Sequence, residues 1–179
     1  MASLASAGSN SPVFVAIALG SNLGDRRAHL TWAIDQLGEL LDNLQVSNIT
    51  ETDPVGVSAP QPAYLNAVVT GQSTLSPGEL LGLLLELEDD RGRDRPHWRA
   101  PRTLDLDLIL HGSLVIADEG MEVPHPRFRE RRFVLEPLVE LAPDARDPVT
   151  GKTMRELLDM LRDEAGGSAQ GPKPLGSKN

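Results

Sequence analysis

The spacing of apolar residues changes period several times along the chain. VFVAIAL, Val13 to Leu19, is a continuous apolar and β-branched run closed by Gly20, the pattern of a buried strand. From Asp25 the period switches. Leu30, Ala33, Ile34, Leu37, Leu40 and Leu41 recur three and four residues apart, which predicts an amphipathic helix with Asp25 as its N-cap. QVSNITET reads as a less regular strand and YLNAVVTGQST as a second. DPVGVSAPQPA between them reads as loop from its Pro and Gly content. SPGELLGLLLELEDDRG predicts a helix in which Ser76 caps, Pro77 occupies the first turn and Glu79 completes a capping box. A basic loop, GRDRPHWRAPR, leads into PRTLDLDLIL, where Leu104, Asp105, Leu106, Asp107 and Leu108 alternate with the period of a half-buried strand. HGSLVIADEGMEVPHP suggests a hairpin-like excursion, and RERRFVLEPLVELAP and MRELLDMLRD predict short helices. The order β-α-β-β-α-β predicts an α+β protein with a ferredoxin-like core, an antiparallel sheet backed by helices.

The ends fall outside this pattern. Residues 1–12 and 164–179 are rich in Ser, Gly, Pro and polar residues and bury too little apolar surface to offset ordering entropy, so flexible tails are expected there. Residues 13–163 are expected to form a single domain. The hydrophobic fraction of 40% and charged fraction of 24% are those of an ordinary globular chain. A formal net charge of -9 argues against sequence-independent nucleic-acid binding. No apolar run reaches membrane-span length, and the N-terminus carries neither a basic nor an apolar signal region. The absence of cysteine excludes disulfides, thiolate metal sites and a cysteine nucleophile, and suits a reducing cytoplasm.

The alternating strand raises a chemical question. Its leucines share one face, and Asp105 and Asp107 share the other, roughly 6–7 Å apart along the axis. Asp is depleted in strands, and like charges on one face repel. Paired carboxylates of this kind suit Mg²⁺, which takes a few carboxylates together with phosphate oxygens and water. The two-metal pattern of phosphoryl transfer uses the same donors. On its own the pair also fits a solvated strand face. The upstream loop changes the balance: Arg91, Arg93, Arg95, Arg99 and Arg102, with His97 and Trp98 among them, place forked cationic donors beside the acids and make a phosphate cradle. A metal-dependent phosphohydrolase and a non-catalytic nucleotide-binding module share these features.

PRTLDLDLIL, together with IALGSNLGDR upstream and VPHPRF downstream, resembles the 6-hydroxymethyl-7,8-dihydropterin pyrophosphokinases of folate biosynthesis, and the similarity runs from Val15 to about Leu161. The resemblance implies a ferredoxin-like monomer that uses MgATP, with two Mg²⁺ ions, to pyrophosphorylate a reduced pterin alcohol and release AMP. It implies that Asp105 and Asp107 bind magnesium. It gives catalytic roles to Arg93, Arg95, Arg102 and Asp107, and ATP contacts to Glu88, Arg95, Arg102, His125 and Arg131. The pterin would lie among Thr52, Pro54, Val55, Tyr64, Asn66, Trp98 and Phe133. A flat heteroaromatic ring needs stacking partners and a few polar groups, which Tyr64, Asn66 and Phe133 offer. Family members often read Arg-Trp before the signature, whereas here Trp98 precedes Arg99; Pro126 stands where some members carry Tyr.

Overall fold

The structure, a computed structural model, describes residues 11–54, 60–92 and 101–167. Val55, Arg93, Arg95 and Trp98, all expected at the site, lie outside the described residues. The elements are β1 (Val13–Ser21), α1 (Arg26–Leu40), β2 (Asp42–Val46), β3 (Thr50–Thr52), β4 (Tyr64–Ser73), α2 (Pro77–Asp90), β5 (Asp105–His111), β6 (Ile116–Asp118), β7 (Met121–Val123), a 3-10 turn (Phe128–Glu130), α3 (Arg132–Leu141) and α4 (Met154–Gly167). The helix starts follow the capping chemistry. The Asp25 carboxylate accepts from the Ala28 N–H at 3.0 Å, and Ser76 and Glu79 form the reciprocal capping box.

The sheet order is β2-β4-β1-β5, with β3 also on β4, and every pairing is antiparallel. Insertion of β4 between β1 and β2 makes the split βαβ topology of the ferredoxin-like fold. The expected QVSNITET strand is divided in two. Ser47 exchanges backbone and side-chain hydrogen bonds with Val68, and the Asn48 N–H and side-chain amide both donate to Glu140 of α3. These side-chain bonds interrupt the ladder between β2 and β3.

Both sheet faces are covered. Val15, Ile17, Leu19, Leu104, Leu106 and Leu108 pack with Leu30, Leu37, Leu80 and Leu84 of α1 and α2. Ala16, Ala18, Val68, Ile109 and Leu110 pack with Val134, Leu135, Leu138, Leu157 and Leu158 of α3 and α4. A bulge serves the second face. Ile17 pairs with Leu108 while Ala16 pairs with Leu110, so the extra residue Ile109 turns Leu110 away from the face that Leu108 fills. The alternation from Leu104 to Leu108 holds as read. Helix α4 continues to Gly167, four residues past the expected boundary at Asp163. No helix among the described residues is long and apolar enough to cross a membrane.

Candidate active site

A cleft of about 480 Å³ opens on the α3/α4 face where β1 ends and β5 begins. The register explains why space exists there. Asp105 lies opposite Gly20 and Asp107 opposite Ala18, so the strand beside the acids contributes almost no side-chain volume. Asn66 flanks Gly20 from the other side. A Cβ on Gly20 would meet Asn66 Oδ1 at 3.5 Å and Tyr64 Cδ1 at 3.7 Å, which is ordinary contact distance but would occupy the cleft floor.

Both acids face this opening, each beside an arginine. Arg102 Nη1 donates to Asp105, and Arg131 Nη1 lies 3.4 Å from Asp107 Oδ2. His125 Nε2 lies 3.8 Å from the same Asp107 oxygen. Burial pushes the Asp107 carboxyl up to about 6, and the neighbouring Asp105 charge adds to the rise; Arg131 and Arg102 pull against it. Burial lowers His125 to about 4, with the Arg131 charge acting in the same direction, so its imidazole is neutral near pH 7. Burial is the first cause of both shifts.

The donor set fits magnesium. Asp105 and Asp107 offer carboxylate oxygens only, side by side on one strand face. That suits an ion that draws its remaining ligands from phosphates and water.

Two aromatic side chains share the cleft with the acids. Tyr64 and Phe133 line it with Thr52, Asp53 and Pro54. The Asn66 amide donates to Thr52 Oγ1 at 2.7 Å, which fixes the amide across the β3–β4 pairing. The Arg131 guanidinium sits 5.7 Å from the Phe133 ring centroid, so the arginine beside Asp107 also meets an aromatic ring. Burial raises the Tyr64 pKa, so its hydroxyl keeps its proton at neutral pH.

Asn22, absent from the expected site, organises it. Fully buried, it accepts the Arg102 N–H on Oδ1 at 2.7 Å, and its own N–H donates to the Arg102 carbonyl at 3.0 Å. Its amide also reaches Gln61 and the Pro62 carbonyl at 3.3 and 3.4 Å. Arg26 Nη1 donates to the Ala63 carbonyl at 2.6 Å, and its Nη2 pairs with Glu51 at 2.9 Å. GSNLGD therefore ties the loop before β4 to the start of the acid strand. The signal was a polar residue directly after a buried strand. Arg127, the arginine of VPHPRF, also lines the cleft, as do Glu130 and Arg132, which carried no distinctive signal in the sequence.

Glu88, for which an ATP contact was expected, makes a backbone contact within the fold. It is 1% exposed, outside the cleft lining, and its Oε1 accepts the Leu106 N–H at 2.7 Å. This carboxylate braces β5 between the two cleft acids from the opposite sheet face. His125 is also outside the lining, but its imidazole approaches Asp107 and its N–H donates to the Ile109 carbonyl, so the structure brings it to the acids. Thr52, Pro54, Tyr64, Asn66, Arg102, Asp105, Asp107, Arg131 and Phe133 all gather in the one cleft.

The family model described as 7,8-dihydro-6-hydroxymethylpterin-pyrophosphokinase (HPPK) matches residues 16–143. The chain is 39% identical over 153 residues to the 2-amino-4-hydroxy-6-hydroxymethyldihydropteridine pyrophosphokinase of Bacillus subtilis, covering 84% of this chain and 91% of that one. It is 40% identical over 146 residues to the Synechocystis protein of the same name, covering 81% and 74%. Among solved structures, a Plasmodium falciparum HPPK-DHPS chain superposes with a TM-score of 0.74 at 12% identity, over 91% of this chain and 48% of that one. That likeness speaks for the fold, and the present chain spans about half of the Plasmodium protein. With a family model over residues 16–143 and relatives about 40% identical covered to at least 74% of their length, the chain belongs to the 7,8-dihydro-6-hydroxymethylpterin-pyrophosphokinase family.

Proposed function

We infer that this chain transfers the β,γ-pyrophosphoryl group of MgATP to the hydroxymethyl group of 6-hydroxymethyl-7,8-dihydropterin and releases AMP, a step of folate biosynthesis. The observation that carries the reading at the level of the site is one cleft that gathers paired carboxylates and arginines together with Tyr64, Phe133 and Asn66. A hydrolase acting with water has no use for the aromatic pair, and a simple nucleotide-binding module has no use for both sets.

In this reading the pterin stacks between Tyr64 and Phe133 and meets the polar edge formed by Thr52 and Asn66. Its hydroxymethyl group then points along the cleft toward the acids. Asp105 and Asp107 would hold two Mg²⁺ ions with ATP. When bound, the metal supplies positive charge to the phosphate oxygens as negative charge builds on them. Arg102 and Arg131 also place positive charge beside the two carboxylates. The hydroxymethyl oxygen forms a bond to the β-phosphorus, the bond from that phosphorus to the α,β-bridging oxygen breaks, and AMP leaves with that oxygen and its electron pair. The proton of the alcohol is released to solvent. Arg102, held by Asn22, and Arg131 supply fixed guanidinium groups to the transferring phosphates. Arg93 and Arg95 are assigned to the same task from the sequence, and the protein is assigned to the cytoplasm as a monomer. The test is direct: protein, MgATP and 6-hydroxymethyl-7,8-dihydropterin should yield AMP and the pterin pyrophosphate in equal amounts. ADP release that proceeds without pterin would instead assign the site to hydrolysis.

A further inference from the structure

The segment from His125 to Arg132 carries Arg131 to Asp107, yet its firmest polar anchor points away from the cleft. Arg129, two residues before Arg131, directs its guanidinium to Asp147, with Nε to Oδ2 and Nη2 to Oδ1 both at 2.7 Å. The Asp147 side chain is 0% exposed. It is held by its own turn: the Thr150 hydroxyl donates to Oδ2 at 2.6 Å and the Val149 N–H to Oδ1 at 3.1 Å. The Asp147 backbone is pinned as well, its N–H donating to the Lys152 carbonyl at 2.9 Å and its carbonyl accepting from Gly151 at 2.8 Å. The post is therefore rigid before Arg129 reaches it. Neither Arg129 nor Asp147 lines the cleft, while Arg127, Glu130, Arg131 and Arg132 do. Backbone bonds from Arg131 to Phe128 and from Glu130 to Arg127 then transmit the position of Arg129 within a single turn.

We propose that Asp147 and Arg129 are positioning residues for pyrophosphoryl transfer, an ion pair outside the active site that sets where Arg131 stands against Asp107 and the bound nucleotide. A carboxylate with this bidentate geometry fixes orientation as well as distance. The inference rests on the assignment of Arg131 to ATP made above. Phe128, buried beside it, anchors the turn in the core, and Arg129, whose guanidinium lies 4.7 Å from the Phe128 ring centroid, ties the same turn to Asp147.

The experiment is steady-state kinetics on Asp147→Asn and Arg129→Lys, with AMP as readout and each substrate varied in turn. Asp147→Asn is expected to raise the KM for ATP about tenfold while the KM for the pterin stays within about twofold, because only the nucleotide end moves. Arg129→Lys, which keeps the charge but loses the fork, should show a smaller shift of the same kind, and it carries the test if Asp147→Asn does not fold. In an Arg131→Ala background, Asp147→Asn should change the KM for ATP less than about twofold, since the residue through which it acts is gone. Equal effects on both substrates, full additivity with Arg131→Ala, or wild-type kinetics in a folded variant would each overturn the proposal. A wild-type protein that forms no AMP would instead refute the functional assignment.

Discussion

Replacing Asp107 by Asn should make the metal-free protein more stable and inactive at once. Asp107 is one of two like charges on a single strand face, and burial holds its carboxyl at about 6 against an ordinary value of 3.8. At 1.36 kcal/mol per pH unit, keeping it ionised at pH 7.5 costs the native state up to about 3 kcal/mol. The side chain keeps 32% exposure, the cost is shared with Asp105, and Asn forfeits the attraction of Arg131, so a net gain of about 1–2 kcal/mol is expected. For a domain of this size that corresponds to a rise in Tm of about 3–6 °C. The sign of the pH dependence follows from linkage. A raised carboxyl pKa means that the native state binds more protons than the unfolded chain between about pH 4 and about pH 6. Stability therefore falls as pH climbs through that window; the penalty is complete above it and absent below it. The advantage of Asp107→Asn should shrink by roughly half between pH 7.5 and pH 5. Urea unfolding in EDTA at the two pH values, followed by circular dichroism with equal m-values, measures both quantities, and AMP formation measures activity. A variant less stable than the parent at pH 7.5, or an advantage that does not vary with pH, would refute the account of the acid pair.

Three further outcomes follow from the same geometry. A non-hydrolysable ATP analogue should raise the Tm more with Mg²⁺ than without it, and the Mg²⁺-dependent part should fade as pH drops through about 6, where Asp107 takes up a proton that competes with the metal; a shift independent of Mg²⁺ or of pH would count against the assignment. Asn22→Ala should lower kcat/KM at least about tenfold with the fold retained, because Arg102 and the loop before β4 lose their common tie, at about 1–3 kcal/mol for each buried partner left unsatisfied; steady-state assay and circular dichroism decide this. Glu88→Ala should cost about 2 kcal/mol or more in urea unfolding by leaving the Leu106 N–H without its acceptor, whereas a surface contact to ATP would show as lost nucleotide affinity at unchanged stability.

How much of this was legible in the chain depended on the range over which each feature is determined. The period of two from Leu104 to Leu108 placed the acids on one face, because a strand assigns faces residue by residue and the leucines needed a core. The capping box at Ser76 was equally readable, being complete within four residues. The division of QVSNITET was not, since it is decided by Val68 and Glu140, residues that only the folded sheet brings to Ser47 and Asn48. The bulge at Ile109 likewise depends on the partner strand, which two adjacent apolar residues in a sequence do not reveal. The site divides along the same line. The residues that line the cleft fall largely in recognisable motifs, such as PRTLDLD, whose side chains stand close together in sequence. Residues that hold those side chains in place are ordinary polar residues whose partners are distant: Asn22 for Arg102, Glu88 for the Leu106 amide, Asp147 for Arg129. Each is buried and would carry an uncompensated polar group in the absence of its partner, so each pairing is a constraint that only the closed fold satisfies. A buried polar side chain at a distance from the cleft is therefore the place to look for control of the geometry inside it.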